Sequence, residues 1–272
     1  MTDPFASLGS PGDLAVGLRP SLLMRRLRDE RGELFVPDEW QGRFLDTDDP
    51  AVLLLCFRQS GKTTAVSVKA LHTALFVPGR LTLVISPTDR QSQIVLDRIK
   101  VFYQQLGGRL GETTRETESR LRFANGAEIV SLPGGNADQI RGFSNVKLLV
   151  VDEAARVPSP TWVAVVPMLG DDGQVVCPTT PAGRRGWFAR AWHEEDGWTR
   201  IRVPVDASGR VSAAKVAAAR ARLTPGEFNA EFNLSFGSSE DALYPYALVE
   251  AAMDRRVRTL DVNWPRFGGA AA

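Results

Sequence analysis

The stretch from residue 51 to residue 76 constrains this chain more than any other. Ala51–Leu55 is a compact apolar run, the mark of a strand buried on both faces. It leads into Cys56-Phe57-Arg58-Gln59-Ser60-Gly61-Lys62-Thr63, and Thr64 follows. Lys62–Phe76 then carries Val66, Ala70 and Ala74, with Leu71 and Leu75 beside them, at helical spacing. Strand, glycine-bearing loop and helix in that order form a phosphate-binding loop. Its backbone N–H groups and the positive end of the helix dipole surround phosphate oxygens. The pattern asks for glycine at the first loop position, and Cys56 stands there instead.

The strand signal repeats at Leu81–Ile85, Leu121–Phe123, Ile129–Leu132, Leu148–Val151, Val175–Cys177 and Ile201–Val205. Asn125-Gly126 between two of these runs predicts a hairpin. Ile94, Ile99, Phe102 and Leu106 mark a second helix. Strands alternating with helices predict an α/β fold with a mainly parallel sheet covered on both faces. Ligands of such sheets bind beyond the carboxyl ends of the strands. The polar clusters after Leu55, Val151 and Cys177 can therefore converge on one site.

Each cluster has a chemical reading. Lys62 would reach the β- and γ-phosphates of ATP, and the Thr63 hydroxyl would bind Mg²⁺. Asp152 and Glu153 follow four apolar strand residues, the place of Walker-B carboxylates. Asp152 would hold Mg²⁺ and Glu153 would polarise the attacking water. Thr179 and Thr180 end the next strand, where a hydroxyl can sense the γ-phosphate; an ordinary Thr-Pro turn is the plainer alternative. Arg58, inside the loop, and Arg141, before the Walker-B strand, are both candidates to neutralise charge on the γ-phosphate. Trp40-Gln41 precedes the first strand, and the Gln41 amide can both donate to and accept from an adenine edge. His72 and His193 lack metal-ligand companions, and Trp187, Phe188 and Trp192 read as packing residues.

Composition sets limits rather than identity. Of 272 residues, 43% are hydrophobic and 24% charged, which suits one large globular domain with a small appendage. The 33 Lys+Arg nearly balance the 32 Asp+Glu, so global charge argues neither for nor against a nucleic-acid partner. Two distant cysteines imply no disulfide framework. No apolar run approaches a membrane span, and the first residues lack the features of a secretory signal, so a cytoplasmic protein is expected. Residues 1–13 read as a loose tail and Leu18–Arg31 as a short helix. Ser212–Leu223 reads as helical, broken at Pro225-Gly226, with Glu227–Leu234 helical again. The expected organisation is a tail and arm over 1–35, a core over 36–206, a helical lid over 207–253, and a linker or tail over 254–272.

Taken together, the motifs resemble the ATPase domain of the large terminase subunits of tailed bacteriophages, over about Trp40 to Met253. The resemblance rests on Trp40-Gln41, Arg-Gln-Ser-Gly-Lys-Thr-Thr at 58–64, Ile-Arg-Gly-Phe at 140–143, Val-Val-Asp-Glu-Ala at 150–154 and Thr-Thr-Pro-Ala-Gly at 179–183. It implies a RecA-like (ASCE) P-loop fold with a small helical lid, and Mg²⁺-dependent ATP hydrolysis in a ring docked on a capsid portal. That ring, served by a small terminase subunit, translocates double-stranded viral DNA into a procapsid in the host cytoplasm. It further implies adenine recognition by Gln41, coupling of hydrolysis to movement by Thr179 and Thr180, and action of Arg141 in trans on a neighbouring subunit. The family normally continues into a two-metal nuclease. The residues after Met253 are too few for one, so no endonuclease activity is expected from this chain. A helicase-like DNA-dependent ATPase and a nucleotide-binding assembly switch with little turnover are the competing readings. Arg184, Arg185, Arg255, Arg256 and Arg258 are candidates for contacting DNA.

Overall fold

In the computed structural model, the described residues are 11–107, 112–135, 140–207, 211–237 and 252. Residues through Gly237 form one compact unit, and 238–272 a second that lies almost wholly outside the described residues. The first unit is built on one sheet of eight strands. These are β1 (Ala51–Cys56), β2 (Leu81–Ser86), β3 (Thr113–Glu116), β4 (Arg120–Phe123), β5 (Glu128–Pro133), β6 (Val146–Val151), β7 (Leu169–Thr179) and β8 (Thr199–Val203). Their order across the sheet is β3-β4-β5-β2-β6-β7-β1-β8. Near one edge β4 runs antiparallel to both its neighbours, β3 and β5; the remaining pairings are parallel.

Neighbouring strand residues face opposite sides of a sheet. In β1, β2 and β6 successive residues are buried almost without interruption, so both faces of the central sheet are covered. Full burial of a leucine contributes about 1.5–3 kcal/mol, and Leu53, Leu54 and Leu55 are all fully buried. That is why the apolar run at 51–55 specifies a central strand.

The helices are α1 (Pro11–Leu18), α2 (Pro20–Met24), α3 (Glu39–Asp46), α4 (Lys62–Phe76), α5 (Asp89–Gln105), α6 (Ser159–Val165), α7 (Trp187–His193), α8 (Ala213–Arg222) and α9 (Pro225–Glu231). α4 has the predicted limits. Its C-terminal carbonyls at Ala74 and Leu75 accept hydrogen bonds from Asn125 Nδ2 (2.8 and 3.2 Å), so the β4–β5 turn also caps the loop helix. Lys69 of α4 does the same for α3, donating to the carbonyls of Leu45 and Thr47 at 3.0 Å each.

The structure departs from several sequence expectations. The helix expected over Leu18–Arg31 is divided. Arg19 is extended, Pro20 opens α2, and Arg28 pairs with Leu34 across a turn. Asp29 closes that turn by accepting from the backbone N–H groups of Arg31 and Glu33. The expected tail over 1–13 is helical from Pro11; residues 1–10 lie outside the described residues. Ile94 is exposed, and the inward stripe of α5 is Val95, Leu96, Ile99 and Phe102. β7 begins six residues before Val175, because its first half, with Asp171 and Asp172 exposed, carries no apolar signal. The polar edge strand β3 gave none either. Pro204 ends β8 at Val203, two residues earlier than expected.

The aromatic residues of α7 pack inward as expected. Trp187 and Phe188 are buried. Trp187 stacks on Trp162 at 4.0 Å between centroids and donates its Nε1–H to the Val157 carbonyl. His72 is buried with Nε2 2.8 Å from the Val16 carbonyl, and His193 meets the Phe236 ring edge-on. Among the described residues no helix is long and apolar enough to cross a membrane.

Candidate nucleotide site

β7 lies between β1 and β6 in the sheet. All three run parallel, so the loop after Cys56, the acid pair after Val151 and the threonines after Pro178 open at the same end. Register makes this concrete, since Leu55 pairs with Thr179.

The loop is anchored at both ends. Cys56 is fully buried, and burial pushes its thiol up to about 12, so it is a neutral packing group. Phe57, also fully buried, donates its N–H to the Val203 carbonyl at 3.1 Å. Gln59 and Gly61 have left-handed φ values of 67° and 89°. Left-handed residues in a loop can turn backbone N–H groups toward an anion; here the N–H groups of Phe57 and Arg58 are held by the Val203 and Glu231 carbonyls, and that of Ser60 lies 3.4 Å from the Phe57 carbonyl. Gly61 is then the N-cap of α4. Ser60 is buried and Thr63 half-buried, and Thr64 accepts a hydrogen bond from Arg98 of α5 at 2.8 Å.

Gln41 is completely buried. Its Oε1 accepts from the Asp38 backbone in a capping box at the start of α3, and its Nε2 reaches 3.4 Å to the Gly61 carbonyl. The amide therefore braces α3 against the loop in this conformation, and an adenine contact requires it to exchange these partners.

Lys62 and Glu153 meet directly, with Nζ 2.7 Å from Oε1. Burial pulls the Lys62 pKa down, but Glu153 and then Asp152 outweigh it, and the net shift is upward. Asp152 is 4% exposed, and its Oδ1 is buried without a hydrogen-bond partner. Burial first, and the neighbouring Glu153 second, push its pKa up to about 6, against the opposing effect of Lys62. A buried carboxylate oxygen without a partner is the kind of hard oxygen ligand that Mg²⁺ takes.

Glu153 has left-handed φ and ψ of 49° and 44°, uncommon for a non-glycine residue. Such a conformation costs on the order of 1–3 kcal/mol and persists where the surroundings enforce it. From it the chain enters the short 3₁₀ turn Ala154–Arg156. Thr179 and Thr180 are buried. Thr179 Oγ1 donates to the Thr180 carbonyl and accepts from the Ala155 N–H, tying the end of β7 to the turn after Glu153.

Two residues that the motifs did not mark complete the cluster. Arg156 donates from Nη1 to Glu153 Oε2 (3.1 Å) and to Thr180 Oγ1 (3.0 Å). Glu231, at the end of α9, has Oε1 3.8 Å from Arg156 Nη2 and 3.5 Å from Arg58 Nη1. Its backbone carbonyl also accepts the Arg58 N–H at 3.0 Å. Arg58 thus faces α9, its side chain 69% exposed. Arg141 is exposed in the β5–β6 connection. Arg184 donates Nε–H to the Phe236 carbonyl, and Phe236 is itself buried against the core. Arg255, Arg256 and Arg258 lie outside the described residues.

Comparison with known proteins places these features in a family. The family model described as "Terminase large subunit, T4likevirus-type, N-terminal" matches residues 54–248. Large terminase subunits of Thermus phage G20c and Thermus virus P23-45 are each 31% identical over 150 residues. The match covers 48% of this chain and 30% of each relative, so the chain corresponds to about a third of their length. Among solved structures, the Thermus phage P74-26 large terminase ATPase domain superposes with a TM-score of 0.66 at 21% identity, over 80% of this chain and 99% of that one. The HK97 bacteriophage large terminase gives 0.64 at 17% identity, over 80% and 54%. A large terminase from a thermophilic bacteriophage, in complex with ATP-γ-S, gives 0.60 at 13% identity, over 73% and 52%. The shared fold is the RecA-like ATPase fold.

Proposed function

This chain belongs to the family of terminase large-subunit N-terminal domains, and from that premise we propose that it is a Mg²⁺-dependent ATPase domain that drives double-stranded viral DNA into a procapsid. The observation that carries the reading is the meeting of Lys62, Glu153 and Thr180, through Arg156, at the joined ends of β1, β6 and β7. The ATP-γ-S complex of the thermophilic-phage terminase supports the choice of nucleotide.

ATP enters with its phosphates in the loop formed by Cys56, Phe57, Arg58, Gln59, Ser60, Gly61, Lys62, Thr63 and Thr64. Lys62 exchanges Glu153 for the β- and γ-phosphate oxygens. Thr63 and Asp152 hold Mg²⁺, for which the unpartnered Asp152 Oδ1 is suited; the bound ion neutralises charge on the phosphates. Glu153, released from Lys62, accepts a proton from water as the water oxygen attacks the γ-phosphorus. The bond from that phosphorus to the β,γ-bridging oxygen breaks, leaving ADP and inorganic phosphate. Arg58 or Arg141 stabilises the transferring group, Arg141 from a neighbouring subunit of a ring. Thr179 and Thr180 pass loss of the γ-phosphate to the turn at Ala154–Arg156. Gln41 reads the adenine edge after giving up its present partners.

DNA, the portal protein and the small terminase subunit are the partners this reading requires, in the cytoplasm of an infected bacterium. The test is phosphate release from ATP with and without Mg²⁺ and DNA, alongside Glu153→Gln. Turnover that persists in Glu153→Gln overturns the catalytic assignment.

A further inference from the structure

The two oxygens of Glu153 are held by different cations. Oε1 faces Lys62 at 2.7 Å, and Oε2 faces Arg156 at 3.1 Å. When phosphates draw Lys62 away, Oε1 is released and Oε2 is not. Arg156 is then the anchor that fixes where Oε1 points. A guanidinium suits this task, because its planar fork presents five donors at fixed angles, whereas an ammonium is a single mobile point charge.

The same guanidinium has two other commitments. Nη1 also donates to Thr180 Oγ1, at the end of β7. Nη2 lies 3.8 Å from Glu231 Oε1 on α9, beyond hydrogen-bond length but within ion-pair range. Glu231 is only 18% exposed, and its Oε2 is buried without a partner. That leaves it with acceptor capacity to draw Arg156 closer. α9 is fixed in turn by the Arg58 N–H on the Glu231 carbonyl and by the docking of Leu234 and Phe236 in the core. An unbroken chain of contacts therefore runs from α9 through Arg156 to the carboxylate of Glu153.

We propose that Arg156 is the positioning residue of this site: it orients Glu153 toward the attacking water, and Glu231 makes that orientation depend on the docking of α9. This rests on the ATPase reading above. Arg156 touches neither nucleotide nor water in this scheme. It acts through Glu153, and Thr180 competes for the same Nη1.

The experiment compares Arg156→Ala, Arg156→Lys, Glu231→Gln and the Arg156→Ala/Glu231→Gln pair with the parent chain and Glu153→Gln. Misorienting a base by about 1 Å costs on the order of 100-fold. Arg156→Ala is expected to lower kcat by about that factor while KM and the Kd for ATP-γ-S stay within about threefold. Arg156→Lys restores part of kcat, since it keeps the charge but not the fork. Glu231→Gln lowers kcat several-fold, and the pair is no worse than Arg156→Ala alone, as residues acting in one chain are non-additive. If Glu153→Gln abolishes turnover but Arg156→Ala leaves kcat unchanged, or the two losses multiply in the pair, the positioning role is overturned. Turnover retained in Glu153→Gln overturns the ATPase reading instead. A second readout needs no turnover. Adding ATP-γ-S with Mg²⁺ is expected to change amide exchange over residues 225–236, and Arg156→Ala is expected to abolish that response; a full response in the variant overturns the link to α9.

Discussion

Glu153 Oε1 and Lys62 Nζ are 2.7 Å apart, with side chains only 17% and 12% exposed. The acid assigned to the water and the base assigned to the phosphates neutralise each other in this structure. Phosphate binding must break that pair before it gains Lys62, so the pair opposes nucleotide affinity.

Glu153→Gln should therefore do more than stop turnover. It removes the charge that competes for Lys62, and ATP-γ-S should bind about tenfold tighter, equivalent to about 1.4 kcal/mol. Titration with a fluorescent ATP analogue measures this. Unchanged or weaker binding would show that the pair does not compete.

Arg141→Ala should leave nucleotide binding intact and lower activity only in assembled rings. Mixing it with Glu153→Gln should restore part of the activity, because each subunit supplies what the other lacks. Absence of rescue in mixed rings counts against action in trans.

His72 should make the fold acid-sensitive. Burial lowers its pKa from 6.5 to about 4, against the favourable hydrogen bond to Val16. Between these values the unfolded chain binds the proton and the folded chain does not, so stability falls as pH drops from 6.5 toward 4. The full shift amounts to about 3 kcal/mol. His72→Gln keeps a donor for the Val16 carbonyl without titrating. The difference between urea unfolding curves of the two proteins should narrow as pH is lowered through this window; a constant difference would refute the assignment.

Asn125→Ala should lower stability by about 2 kcal/mol, because one side chain serves three backbone groups. It donates to the carbonyls of Ala74 and Leu75 and accepts from the Ala127 N–H. Losing it leaves partly buried carbonyls at the end of α4 unpaired. Denaturant unfolding checks the value, and a loss below about 0.5 kcal/mol would show that water replaces the amide.

The sequence by itself determined the elements whose signal is local. The run at 51–55 had to be a central strand because burial on both faces leaves no polar position. Asn125-Gly126 had to turn the chain, and residues 58–64 had to open a helix. Parallel strands then required the loop, Asp152-Glu153 and Thr179-Thr180 to open at one end of the sheet. Tertiary structure alone decided what lies between them. β3 and the first half of β7 are polar and solvated, so no periodicity announced them. Pro20 and the Asp29 turn divided an arm whose leucines read as one helix. Arg156 reads in sequence as an ordinary arginine, and its partner Glu231 lies on an α9 whose own signal is only helical. Arg58 and Glu231 are 173 positions apart. Hydrophobic periodicity reports which face of an element is buried. It carries no record of which distant polar side chain will stand opposite once the chain is folded.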